Sequence, residues 1–536
     1  MKIFAIAEMV AAEKASDAAG HSYDQMMEVA GRCVAEAIMA RYPIEGKSVL
    51  ILVGPGNNGG DGLVAGRYLA QAGADVAFYL FRPRNPEKDH NFAQIQEMGL
   101  LVVEAGFDQR YRVLQTRLNI TDLLIDALLG TGVARSIGGE LAQLMQRVRV
   151  NLSKGDNEQR SEGALISPSH PFALTLHLTR PPAHLPIIAV DCPSGLNCDT
   201  GALDTLAMPT DLTVTFAGPK RGHFIFPGAA ACGELVVADI GIPADLPAVS
   251  AVNLELADAD FVRENLPKRP SFGHKGSFGT AVIAAGSSHY WGAPMLAGRA
   301  AYRVGAGLVA LAVPERIRPT VAGQLPEATY PPVEDKDTLS AASFQFLQET
   351  VKAQAMLVGP GLAAAASFMQ ALLTANDLPP LVVDADGLNF LAQTAAWSQK
   401  LPANTILTPH PGEMARLMDI PLADLKELDR VEIARAQAAK WGHIVLLKGA
   451  YTVVAEPNGR TCILPFANPA LGAAGSGDVL AGTIVGLLAQ GLEPYEAAVV
   501  GGYLHAAAAQ LYPSRAGLLA SELADLLPHA LQKLSV

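Results

Sequence analysis

Cysteine is scarce in this chain. Five residues, Cys33, Cys192, Cys198, Cys232 and Cys462, are spread over 536 positions, with no Cys-x-x-Cys pair and no His/Cys metal spacing. That argues against a disulfide framework and a zinc module, and it fits reduced thiols in a cytoplasm. Charge is also thin, at 17% of residues, and the formal net charge is −12 without a long basic cluster. Neither a nucleic-acid partner nor an anionic membrane surface is expected from such a balance. No stretch of about 18 uninterrupted apolar residues occurs, so no membrane span is expected. The opening run Met1-Lys2-Ile3-Phe4-Ala5-Ile6 is too short for a secretion signal. Gly-x-x-x-x-Gly-Lys-Ser/Thr is missing too, which removes the P-loop enzymes.

Half of the residues are hydrophobic, and 50 are glycine. At roughly 150 residues per domain the length suggests two to four domains with large buried cores. Glycine-rich turns beside apolar runs of strand length point to an α/β protein.

The first half opens with helical periodicity from Ala11 to Arg41, followed by the apolar run Ser48 to Val53. That run ends in Gly54-Pro55-Gly56-Asn57-Asn58-Gly59-Gly60-Asp61-Gly62. A helix pattern from Leu63 and a second strand from Ala74 to Phe81 complete a βαβ start. Gly54, Gly56 and Gly59 formally match the dinucleotide fingerprint, yet Phe81 is followed by Arg82 where that fingerprint wants an acid. An ordinary NAD dehydrogenase is therefore not expected. Asn57, Asn58 and Asp61 place amides and a carboxylate in a glycine turn. This suits phosphate, ribose hydroxyls or a monovalent cation, against the plainer reading of a turn in left-handed conformations. Two more apolar runs end in Asp126, before Gly130-Thr131-Gly132, and in Asp191, within Asp191-Cys192-Pro193-Ser194-Gly195. Parallel sheets bind ligands beyond the carboxyl ends of their strands, so these ends could converge on one site; each Asp could also be a cap. Between Val150 and Leu185 the sequence is polar and aperiodic, which reads as an inserted surface loop.

These motifs resemble the YjeF N-terminal domain, over most of residues 1–247. The resemblance implies a Rossmann-like NAD(P)H-hydrate epimerase that interconverts the two C6 epimers of hydrated NADH or NADPH. Asn57, Asn58, Gly59, Gly60 and Asp61, with Gly130, Thr131, Gly132, Val133, Ala134, Arg135 and Ser136, would hold the hydrated nucleotide. Asn58, Asp126 and Ser194 would surround K+, and Asp191 would be the acid/base near C6.

Gly241 to Pro247 reads as a boundary. Strand–loop–helix alternation then resumes and is read as a parallel layer. Successive strand ends carry Gly359-Pro360-Gly361, Asp384-Ala385-Asp386, His410-Pro411-Gly412-Glu413 and Lys448-Gly449. Near the C-terminus Gly475-Ser476-Gly477-Asp478 runs into an apolar helix pattern. Free N–H groups at a helix start beside a carboxylate base suit phosphoryl transfer to an alcohol; a capped helix is the equal alternative from those residues alone.

Taken in order, these ends resemble the YjeF C-terminal domain over residues 256–536. The resemblance implies a ribokinase-like, ADP- or ATP-dependent NAD(P)H-hydrate dehydratase. Its nucleotide would be held by Lys448, Gly449, Ala450, Tyr451, Thr452 and Gly477, with Asp478 as base and Ala293, Gly361 and His410 lining the hydrate pocket. Mg2+ is expected with a transferred phosphoryl group. Asn468-Pro469-Ala470-Leu471-Gly472 departs from the family's Asn-Pro-x-Met-Ala. The whole chain thus reads as two three-layer α/β/α domains, in a homo-oligomer that repairs nicotinamide nucleotides. The rival reading is a kinase for a vitamin-type alcohol whose first half is a non-catalytic nucleotide-binding module.

Overall fold

The computed structural model describes residues 1–132, 135–162 and 185–534. The chain divides into two compact units. One spans Lys2–Val252, and the other comprises Met1 and Asn253–Val536.

The first unit is built on seven strands: β1 Ser48–Val53, β2 Asp75–Leu80, β3 Leu101–Glu104, β4 Leu123–Ala127, β5 Ile187–Val190, β6 Leu212–Phe216 and β7 Glu234–Ala238. They pair in the order β3-β2-β1-β4-β5-β6-β7, all parallel. Side chains alternate across a strand, so a sheet with two apolar faces needs cover on both. Val49, Ile51, Val53 and Phe78 bury on one face with Ala30, Val34 and Leu69. Leu50, Leu52, Ala77 and Tyr79 bury on the other with Leu114, Leu144 and Val148. Helices Tyr23–Met39 and Asn57–Gln71 cover the first face, and Arg112–Leu118 and Gly139–Glu162 the second, which makes three layers. The helix after β1 lies close to the sheet because Gly66 has no side chain: a Cβ there would meet Phe78 Cζ at 2.4 Å.

Two local expectations change. Asn57 to Asp61 do not form a loop; with Gly56 as N-cap they are the first turns of the helix Asn57–Gln71. The supposed loop after Val150 begins as helix, since Gly139–Glu162 is continuous. The reason is visible as far as Leu152, which continues the buried stripe of Leu141, Leu144, Met145 and Val148 at helical spacing. The rest of that stretch, 163–184, lies outside the described residues, as do Val133 and Ala134.

The second unit has nine strands: β8 Leu254–Leu256, β9 Thr280–Ala284, β10 Leu308–Ala312, β11 Ala355–Val358, β12 Leu381–Val383, β13 Ile406–Leu407, β14 Ile444–Leu447, β15 Val453–Ala455 and β16 Thr461–Ile463. Their order is β10-β9-β11-β12-β13-β14-β15-β16-β8. The layer is not wholly parallel as expected, because β15 runs antiparallel to both β14 and β16. The connections around β15 are too short for a crossover helix, so the chain can only turn back. The core gathers Ile283, Leu357, Val382 and Leu446 from the sheet with Ala297, Ala301, Val485 and Leu504 from helices. Helices Gly292–Arg303 and Ser476–Ala489 meet at glycine contacts. A Cβ at Gly482 would lie 2.2 Å from the Ala297 carbonyl oxygen.

Candidate active sites

In the first unit the polar groups collect at the carboxyl ends of β1, β4 and β5. Asp126, fully buried near the end of β4, accepts from the Ser194 N–H at 2.9 Å and the Ser194 hydroxyl at 2.6 Å. Ser194 Oγ in turn accepts from the Leu129 N–H at 2.9 Å. Burial pushes the Asp126 carboxyl above its usual range, against the hydrogen bonds from Ser194 and Leu128. Gly130 lies against Asn58; a Cβ there would be 3.2 Å from the Asn58 Cβ. Asn58 is 8% exposed, and among the described residues neither of its amide atoms has a hydrogen-bond partner. An unpartnered buried amide costs free energy unless a ligand satisfies it. Its carbonyl oxygen and the Asp126–Ser194 oxygens are hard donors of the kind K+ takes.

Asp191 follows β5 in the left-handed region, at φ 63°. Its Oδ1 accepts from Lys220 Nζ at 2.6 Å and from Thr215 Oγ1 at 2.8 Å. Lys220 is 1% exposed and also donates to the Phe216 carbonyl at 3.2 Å. Burial would raise the Asp191 carboxyl, but the Lys220 ammonium and these hydrogen bonds outweigh it and hold the group below its usual range. Arg84 donates to the carbonyls of Gly54 at 2.8 Å and Gly56 at 2.6 Å. Arg84, shortly after the second strand, thus ties down the glycine turn.

In the second unit the strand ends β12, β13 and β14 meet the start of the helix Ser476–Ala489. Asp384 Oδ1 accepts from Lys448 Nζ at 2.7 Å and from Thr408 Oγ1 at 2.8 Å. Lys448 also lies 3.6 Å from buried Glu413, and both carboxylates hold its ammonium above the usual range despite burial. His410 caps the helix Pro411–Met418. Its Nδ1 accepts from the Gly412 N–H at 3.0 Å, while Glu413 accepts from the His410 N–H at 2.8 Å. Burial lowers the His410 imidazole from its ordinary value.

Gly475 adopts φ 87°, a turn that a side chain would strain. Neutral His505 donates to the Ser476 carbonyl at 2.9 Å and fixes that turn; burial lowers its imidazole to about 4. A Cβ on Gly477 would lie 3.5 Å from Lys448 Nζ, so this turn and the lysine face each other. Burial and the charge of Asp384 push the Asp478 carboxyl up to about 7, Lys448 opposing. The Lys448–Thr452 turn is held from beneath by Arg430, which donates to the carbonyls of Leu447, Lys448 and Ala450 at 2.9–3.1 Å. Gly361 sits beside Ala293; a Cβ on it would be 3.2 Å from the Ala293 Cβ.

Each half therefore assembles most of its expected residues at one edge. Arg135 and Ser136 are among the described residues, with no contact linking them to Asn58 or Asp191. Sequence reasoning left out Lys220, Thr215 and Arg430. A lysine just past a strand end, as in Gly218-Pro219-Lys220, was the available signal for the first. Arg430, on a separate helix, had none.

Residues 281–533 match the family of NAD(P)H-hydrate dehydratases, and residues 23–222 match the family of YjeF-related protein N-termini. The bifunctional NAD(P)H-hydrate repair enzyme of Moorella thermoacetica is 38% identical over 526 residues, covering 95% of this chain and 92% of that one. The corresponding enzyme of Thermofilum pendens is 33% identical over 548 residues, covering 100% and 97%. A crystal structure of the ADP/ATP-dependent NAD(P)H-hydrate dehydratase from Bacillus subtilis, co-crystallised with ATP and Mg2+, is 35% identical and covers 53% of this chain and 100% of that one, with a TM-score of 0.47. Matched over nearly their whole length by such relatives, and carrying both family domains in order, these 536 residues belong to the bifunctional NAD(P)H-hydrate repair enzymes.

Proposed function

We propose that residues 1–247 epimerise hydrated NADH or NADPH at C6, and that residues 256–536 dehydrate the S epimer at the expense of ADP or ATP. The observation that carries this reading is the Asp478 carboxyl, held near neutrality beside Lys448 and a glycine turn at a helix start. A carboxylate of that basicity can take the proton of the C6 hydroxyl as its oxygen attacks the terminal phosphoryl group. Lys448 and the N–H groups from Gly477 offset the charge on the phosphoryl oxygens. Phosphate is a far better leaving group than hydroxide, so its departure with the C5 proton restores the dihydropyridine ring. The Lys448–Thr452 turn holds the nucleotide, and Ala293, Gly361 and His410 line the hydrate pocket.

Mg2+ comes with the nucleotide, whose phosphate oxygens it neutralises. Among the described residues no group of three or more His, Cys, Asp or Glu could hold a metal ion. In the first unit Asn58 to Asp61 and Gly130 to Ser136 hold the hydrated nucleotide, and Asp191 works at C6. K+ held by Asn58, Asp126 and Ser194 supplies fixed positive charge there. Among the described residues no helix is long and apolar enough to cross a membrane. All five cysteines are free thiols, which supports a cytoplasmic location. We take the assembly to be a homo-oligomer, which light scattering can check.

The test uses separated epimers of hydrated NADH. With ADP and K+, the reduced-nicotinamide absorbance should return from both. Without ADP, R and S should interconvert but not dehydrate. Phosphorylation of a vitamin-type alcohol with no return of absorbance would favour the rival kinase.

A further inference from the structure

The first unit contains two buried carboxyl groups in opposite surroundings. Asp61 lies one helical turn after Asn58 and is 9% exposed. It has no hydrogen-bond partner among the described residues. Burying an ionised carboxylate so placed is costly, whereas burying the protonated acid costs far less. Asp191 is paired with Lys220 at 2.6 Å and bonded to Thr215 at 2.8 Å, which favours its ionised form. The Asp61 carboxyl feels the charge of Asp191, so a single proton held on Asp61 suits the pair. Two neighbouring carboxyls whose environments separate their protonation states mark an acid and a base.

We propose that Asp61 is a second catalytic residue of the epimerase site, the proton donor to the oxygen leaving C6, with Asp191 as the base and Lys220 as the positioning residue that assigns these roles. The inference rests on the epimerase reading given above. C6 carries the hydroxyl and the ring nitrogen N1. The Asp61 carboxyl gives its proton to the hydroxyl, the C6–O bond breaks, and water departs. The N1 lone pair becomes the N1=C6 double bond of a planar iminium ion. A water then adds to the opposite face of C6. Asp191 takes its proton, the new C6–O bond forms, and N1 recovers its lone pair. One water leaves, one water enters, and one proton has moved from Asp61 to Asp191; exchange with solvent resets the pair.

The charged and titratable groups facing this pair come from several elements. Glu13, on the helix Ile6–Ala18, is held above its usual range by burial and by Asp191, with Lys220 opposing. Arg84 and Lys220 draw the Asp61 carboxyl down, against burial and the charges of Asp191 and Glu13, which prevail. His223 acts on Asp191 in the same sense as Lys220. Cys192 and Cys198 each feel the charge of Asp191.

The experiment follows R-to-S conversion by the full chain without ADP. Wild type should lose activity on both the acidic and the alkaline side. Asp61→Asn should reduce kcat about 100-fold or more, as loss of a general acid does, and abolish the alkaline fall. Lys220→Met should move the acidic limb to higher pH, with Lys220→Arg restoring it in part. In H2 18O the wild-type enzyme should place one 18O at C6 per conversion, above the uncatalysed background. Retention of 16O, or an Asp61→Asn enzyme with wild-type kcat and pH profile, would overturn the proposal while leaving the epimerase reading intact. No interconversion by wild type would instead overturn the epimerase reading itself.

Discussion

Lys448 and Asp384 form an ion pair of 2.7 Å with Asp384 only 2% exposed, and Lys448 is also the cation nearest the glycine turn before Asp478. On the proposed function, structure and catalysis share one ammonium. A buried ion pair adds little net stability, but removing one partner leaves the other charge uncompensated. Lys448→Met should lower unfolding stability by about 3 kcal/mol and reduce dehydration by at least roughly 100-fold. Replacing both partners, Lys448→Met with Asp384→Leu, should recover stability and not activity. Urea unfolding and S-epimer dehydration read the two effects separately.

Asp478 predicts a pH dependence of definite sign. As the general base it must be ionised, so dehydration of the S epimer should rise with pH and level off above about 7. Stability should run the other way. Below about pH 4 the carboxyl is protonated in the folded and unfolded chain alike, with no penalty. As pH rises from there to about 7, the unfolded chain gives up its proton while the fold retains it, so stability falls. The total is at most roughly 4 kcal/mol, at 1.36 kcal/mol per unit of difference. Asp478→Asn should therefore abolish dehydration yet melt higher than wild type at pH 8, with no difference near pH 4.

Gly449 carries φ 149°, and a Cβ on it would lie 2.7 Å from an Arg430 guanidinium nitrogen. Gly449→Ala should deform the nucleotide turn and raise KM for ADP more than it lowers kcat. Arg430→Lys keeps the charge but cannot reach the Leu447, Lys448 and Ala450 carbonyls together. It should likewise raise KM for ADP by about 10-fold, since one to two kcal/mol of positioning is lost. Initial rates against ADP concentration decide this.

Asn58 offers the K+ proposal a direct check. Its amide atoms are buried and have no partner among the described residues, so Asn58→Leu should be neutral or mildly stabilising in K+-free buffer. Added K+ should raise the melting temperature of wild type and leave that of Asn58→Leu unchanged. An equal rise in both would remove Asn58 from the cation site.

Much of the fold was legible because burial writes a period into the sequence. Val49 to Val53 are apolar throughout, and Leu212 to Phe216 are buried at every position, as parallel strands covered on both faces are. The helix at Ser476 could be read from its glycine turn and the apolar run behind it. The helix starting at Asn57 was misread, since asparagines and glycines normally signal a turn. There they sit under tertiary constraint: a Cβ on Gly59 would be 2.2 Å from the Gly54 carbonyl oxygen. The reversal at β15 was hidden as well, because a three-residue strand carries no direction in its composition.

The sequence by itself determined the class of chemistry. Strand ends rich in glycine and carboxylates, in a fixed order, identify two families and the residues at two ligand edges, since local backbone geometry and motif spacing are properties of the chain. Only the tertiary structure decided what each acid is. Asp61 and Asp191 look alike in sequence, each a carboxylate in a polar motif. Folding brings Lys220 and Thr215 from the region of β6 onto Asp191 and, among the described residues, brings no hydrogen-bond partner to Asp61. The protonation state of a buried carboxyl depends on desolvation and neighbouring charge, and both exist only once residues distant in the chain have met.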